Sequence, residues 1–169
     1  QLPFLPLLAW VLGRDLVAAG KRENYPILLM ITLLAGCQVM TLWGFWADDG
    51  GLQRRGVLAA LWLVGALMSV IGGRVIPFFI QRGLNRPATP AANPLPTQVL
   101  LVSGLLAAVT FAIGLNDVPR YWLAALFLLM GSLHLLRLWR WHDRGMWRVP
   151  LLWSGYLSYA WLVVAVFAM

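Results

Sequence analysis

The sequence predicts an all-α, polytopic transmembrane helical bundle of about five full spans plus part of a sixth, on three observations. Apolar residues make up 61% of the 169-residue chain and charged residues only 11%, where soluble domains carry about a quarter of their residues charged. The apolar residues gather in charge-free blocks at 24–47, 56–73, 87–116, 121–136 and 149–169, most of them long enough to cross a bilayer core at about 20 residues per span. Basic residues, finally, alternate between the hydrophilic segments. Segments 13–24, 81–96 and 137–148 hold nine, whereas 48–55 and 116–120 hold Arg54, Arg55 and Arg120. That alternation is the positive-inside pattern, with the first, third and fifth segments facing the cytoplasm. The net charge of +7 is therefore explained by membrane orientation rather than by a nucleic-acid surface.

In chain order, the first apolar block, 2–12, is too short to span and lacks the basic start and small-residue cleavage site of a signal peptide. The chain begins with Gln1 and not with Met, so this block reads as the tail of a helix descending to the cytoplasm. Five full spans follow at 25–46, 56–80, 97–115, 121–138 and 149–169, which puts both chain ends on the periplasmic side. Residues 1–169 are expected to form a single transmembrane domain in a bacterial inner membrane. Trp43, Trp46, Tyr121 and Trp122 mark the outer interface, and Tyr25, Trp139, Trp141, Trp147 and Trp153 the inner one. Residues 83–97 carry Pro87, Pro90, Pro94 and Pro96 and read as an extended cytoplasmic connector. Two stripes of small residues, Gly65, Ser69, Gly73 and Gly104, Ala108, Ala112, repeat every fourth residue and read as helix-packing faces.

Every carboxylate, Asp15, Glu23, Asp48, Asp49, Asp117 and Asp143, lies in a loop or at a helix end. That argues against a proton-coupled transporter, which needs an acid at membrane depth, and against an acid/base hydrolase. The chain has no phosphate-binding glycine loop, no His-Glu-x-x-His and no Cys-x-x-Cys, and no catalytic residue is assigned. Polar groups at membrane depth are few. His134 is the one imidazole inside a span, Arg137 follows it one turn toward the cytoplasm, and Arg74 precedes Pro77 at a similar depth. Each has two readings. The arginines either snorkel to the inner headgroups or serve an anionic group, and His134 makes either a helix-helix hydrogen bond or a metal bond. Met130, four residues before His134, adds a thioether to the same face, acceptable to haem iron or copper but equally at home as core filler. Cys37 with Met40 carries the same pair of readings, and His142 in the basic loop reads as solvated.

The run Gly72, Gly73, Arg74, Val75, Ile76, Pro77, Phe78, Phe79 resembles the most recognisable stretch of the NnrS family of bacterial membrane proteins, G-R-V-I-P-F-F. Gly13-Arg14-Asp15, Arg22 with Asn24-Tyr25-Pro26, Leu133-His134 with Arg137-Leu138, and Pro150-Leu151-Leu152-Trp153 followed by Tyr159-Ala160-Trp161 resemble further family patches in the same order. The resemblance implies a protein about twice this length, of which this chain is the C-terminal half, with a missing N-terminal half as bundle partner. It further implies haem and copper as cofactors and a role in denitrification and tolerance of nitric oxide. Two positions depart from the pattern: Tyr156, and Thr41 with Leu42, stand where the family often carries histidine.

The leading expectation is a haem/copper membrane protein of the nitric oxide response, with His134 as metal ligand and Arg74, Arg137 and Met130 beside the cofactor. A transporter or channel for a small anion, lined by Arg74 and Arg137, is the alternative, and an assembly scaffold without chemistry is the third.

Overall fold

The computed structural model describes residues 4–20, 24–85, 95–117 and 121–169, and among these the backbone is helical with no strand. The all-α class therefore holds. Six α-helices run in order: α1 Phe4–Ala18, α2 Tyr25–Trp46, α3 Gly50–Gly83, α4 Leu95–Ala112, α5 Tyr121–Trp141 and α6 Pro150–Phe167, with a short 3-10 helix, Arg144–Arg148, before the last. Four of them, α2, α3, α5 and α6, are long and apolar enough to cross a membrane, while α4 is a shorter apolar helix over Thr97–Ala112. Of the proline-rich connector expected at 83–97, residues 86–94 lie outside the described residues.

Helix ends explain where the spans differ from their expected bounds. α3 begins six residues before the expected Gly56 because Asp49 Oδ1 accepts the backbone N–H of Leu52 at 3.0 Å, an N-cap that starts the helix at Gly50. α4 stops at Ala112 rather than Leu115 because Gly114 takes a left-handed φ of 76°. Leu115 N–H then bonds to Thr110 O at 3.0 Å and Gly114 N–H to Phe111 O at 3.2 Å, the Schellman arrangement that ends helices at glycine.

The chain forms two compact units, Gln1–Leu67 with Gly104–Val118, and Met68–Ser103 with Pro119–Met169. In the first, α2 and α3 form a hairpin packed backbone to backbone. A Cβ on Gly44 would lie 2.5 Å from Gln53 N, and one on Gly56 would lie 2.5 Å from Thr41 Oγ1 and 2.9 Å from its N. The small stripe on α4 serves packing as expected, since a Cβ on Gly104 would come within 2.8 Å of the Ala66 Cβ. Arg55 Nη2 pairs with Asp117 Oδ2 at 3.0 Å, which brings the second and fourth hydrophilic segments to one end. Within the second unit, Ile80, Met146 and Leu152 form a buried cluster joined by Leu84, Trp141 and Val149. The end of α3 and the basic 3-10 segment therefore share an end, as the alternation of loops requires.

Candidate functional site

A continuous polar cluster in the second unit begins from two side chains on α5. His134 and Arg137 are one turn apart, and both are buried, at 2% and 8% exposure. α5 turns this face inward because Leu123, Phe127, Met130 and Gly131 share it, while Leu128, Leu129, Leu135 and Trp139 are exposed on the opposite side. Lipid cannot satisfy an imidazole or guanidinium, so both must find protein partners.

α6 supplies the first of these. The hydroxyl of Tyr159, a residue 3% exposed, shares a 2.7 Å hydrogen bond with His134 Nδ1, and the two rings meet edge to face at 5.5 Å between centroids. Arg137 Nη1 donates to the same hydroxyl at 3.3 Å. α3 supplies the rest: Nη1 also donates to Ser69 O at 3.2 Å and to Ser69 Oγ at 3.1 Å. Trp141 covers the guanidinium, its ring centroid 5.1 Å from Cζ. Trp141 also stacks edge to face on Tyr159 at 4.9 Å, so it is part of this cluster rather than solely an interfacial anchor.

Two adjacent glycines let α3 come this close. A Cβ on Gly73 would run into Nη2 of Arg137, and one on Gly72 would press on the Tyr159 ring at 3.1 Å. Pro77, four residues on, has no N–H and so leaves the Gly73 carbonyl without its helical donor. The Gly-Gly-Arg-Val-Ile-Pro run is thus the α3 wall of the cluster. The stripe Gly65, Ser69, Gly73, read as a helix-packing face, also houses a cation at Ser69 and Gly73.

The sequence-predicted residues fall into three groups. His134 and Arg137 are brought together through Tyr159. Met130 is buried on the same α5 face, one turn before His134. Arg74 is exposed, next to the glycine that accommodates Arg137. Tyr159, Ser69 and Gly73 had no functional reading in the sequence. His142 is exposed and accepts from Trp147 Nε1 at 3.5 Å, in keeping with a solvated residue.

At Tyr156 and Thr41, which stand where the resemblance would lead one to expect histidine, both hydroxyls are turned to backbone. Tyr156 donates to Leu138 O at 3.1 Å, and Thr41 to Cys37 O at 2.8 Å. Cys37 and Thr41 line a cavity of about 570 Å³ in the first unit whose other walls are almost entirely apolar. Among the described residues no three His, Cys, Asp or Glu side chains gather as a metal site.

Charge is divided unevenly between the units. The second carries eight arginines and one carboxylate, Asp143, while the first balances five basic residues with five acidic ones, so the whole +7 belongs to the second. Asp143 lies outside the spans, where it caps the 3-10 helix by accepting Gly145 N–H at 2.8 Å. In the first unit Arg14 pairs with Asp15 and Arg55 with Asp117.

The family model described as NnrS protein matches the chain over residues 1–169. No curated protein matches it, and no solved structure does.

Proposed function

Because the chain belongs to the NnrS family, we propose that it acts in the bacterial inner membrane as a haem-binding protein of the response to nitric oxide. The observation that carries the haem assignment is His134: an imidazole buried inside a span, held through Nδ1 by Tyr159, with Nε2 making no hydrogen bond among the described residues. A histidine ligand is commonly oriented by a hydrogen bond from its other ring nitrogen, and ligation through Nε2 requires Nδ1 to donate its proton to the Tyr159 oxygen.

The donor set suits haem better than copper. Haem iron can be held by a single protein donor, and His134 would supply it through its imidazole, with the Met130 thioether buried a turn away. A copper site asks for about three, more than this face of α5 offers. Bound haem would supply an iron centre able to take nitric oxide. The chain's own contribution is to fix the imidazole, exclude water and set cations nearby. In this reading Arg137 stands beside the ligand, and Arg74 serves an anionic group at the membrane edge.

Haem content per folded molecule after purification in detergent tests the assignment. His134→Ala is expected to lose haem while keeping its helical content. Tyr159→Phe, which removes the orienting hydroxyl but leaves the imidazole, should retain haem at reduced affinity. Unchanged haem in His134→Ala overturns the ligand assignment.

A further inference from the structure

We propose that Arg137, with Ser69 and Tyr159, holds one small planar anion of the carboxylate or nitrite class within the membrane-buried second unit. A guanidinium carries five N–H donors. Among the described residues, the hydrogen bonds of Arg137 leave from Nη1, to Ser69 O, Ser69 Oγ and Tyr159 Oη. Nε and Nη2, the side-on fork that matches two oxygens of a planar anion, have no acceptor among the described residues. Yet the residue is 8% exposed and sits in a helix long and apolar enough to cross a membrane.

Neutral partners do not answer the charge. Hydroxyls, a carbonyl and the faces of Trp141 and Tyr159 surround the cation, and no carboxylate pairs with it among the described residues. Elsewhere in the same unit the balance is eight arginines to one acid, and that acid caps a helix outside the spans. Buried charges are ordinarily paired, so this unit lacks a negative charge where Arg137 stands. Size follows from the walls. Gly73 leaves no room even for its own methyl beside Nη2, and Trp141 covers the guanidinium at 5.1 Å, so an acceptor reaching the fork must be small. Joining helices would require Nη1 alone, a task a lysine could perform. The unused fork is what singles out an anion, whether or not haem is bound.

The shared chemistry, two oxygens in a plane with one negative charge, is offered both by free small anions and by a haem carboxylate. Thermal unfolding of the purified chain in detergent, at matched ionic strength, compares sodium formate and sodium nitrite with bulky sodium gluconate. Wild type is expected to show a saturable rise in midpoint with formate or nitrite. The rise should need about tenfold more anion in Arg137→Lys, which loses a charge-assisted bond of the fork, and should vanish in Arg137→Gln. Haemin is then compared with its dimethyl ester. If the haem carboxylate fills the site, haemin abolishes the formate response and the ester binds more weakly to wild type but not to Arg137→Gln. Either pattern supports the site. Equal responses of wild type, Arg137→Lys and Arg137→Gln to every anion, with haemin and ester binding alike, overturn it. Arg137→Lys keeps the test decisive should Arg137→Gln not fold, and the formate arm stands even if no haem binds.

Discussion

Gly73 of α3 stands where the guanidinium of Arg137 on α5 passes, so closely that a single methyl group at 73 would occupy the space of Nη2. The glycine is therefore the complement of the arginine, in the way a hole is the complement of a knob, and the two should fail together.

Gly73→Ala is expected to displace Arg137 from Ser69 and Tyr159. Breaking the contacts of a buried charge costs about 3–5 kcal/mol, against a gain of at most about 1 kcal/mol from replacing glycine by alanine in a helix. A net loss of about 2 kcal/mol or more should appear in reversible unfolding in mixed micelles. Gly36→Ala on α2, where an added Cβ meets nothing within 4 Å, is the control and should be neutral or slightly stabilising. Similar stabilities for the two variants would remove the close approach from the account.

Gly44→Ala places its methyl against backbone, at 2.5 Å from Gln53 N and 2.9 Å from its Cα, so no side chain can yield. Overpacking of this kind costs about 1–3 kcal/mol, and the α2–α3 hairpin should open. Disulfide trapping between cysteines placed on the two helices near positions 41 and 56 would report it, with slower crosslinking expected in the variant. An unaltered rate argues that the hairpin accommodates the methyl.

Sidedness follows from the charge alternation together with the ends that the structure brings together. Arg55 and Asp117 are paired, so labels at 49 and 117 should share one side. In a Cys37→Ser background, single cysteines at 49 and 117 are expected to react with an impermeant reagent from the periplasm, and one at 144 only from the cytoplasm. Periplasmic labelling at 144 reverses the orientation.

Much of the site was legible because polar side chains stand out in apolar blocks: His134 and Arg137 needed only their positions on α5. Their partners were not. Tyr159 lies 25 residues beyond His134, and Ser69 lies 68 residues before Arg137, so which tyrosine or serine they meet depends on how α3, α5 and α6 pack. Ser69 and Gly73 looked like packing residues because small size serves close helices and a bulky cation equally well. Nor does spacing tell apart Arg74 and Arg137: similar depths gave both the same two readings, and only the faces of their helices separate an exposed arginine from a buried one. Element ends were more readable than the expected bounds used. Asp49 before an apolar run is a capping signal, and Gly114 after one is a stop signal, yet Arg54 and Arg55, whose charge suggests a loop, lie in the first turns of α3.

The turn at Ala47–Asp49 leaves α2 and α3 almost no freedom to separate, and their glycines seat one backbone on the other. Such a pair enters a bilayer as one object. With the orientation that the charge alternation implies, inserting the hairpin would carry Asp48 and Asp49 across together in a single crossing, with the backbone groups of both helices already satisfied, and would set the depth of the helix that bears Ser69 and Gly73 before α5 is synthesised.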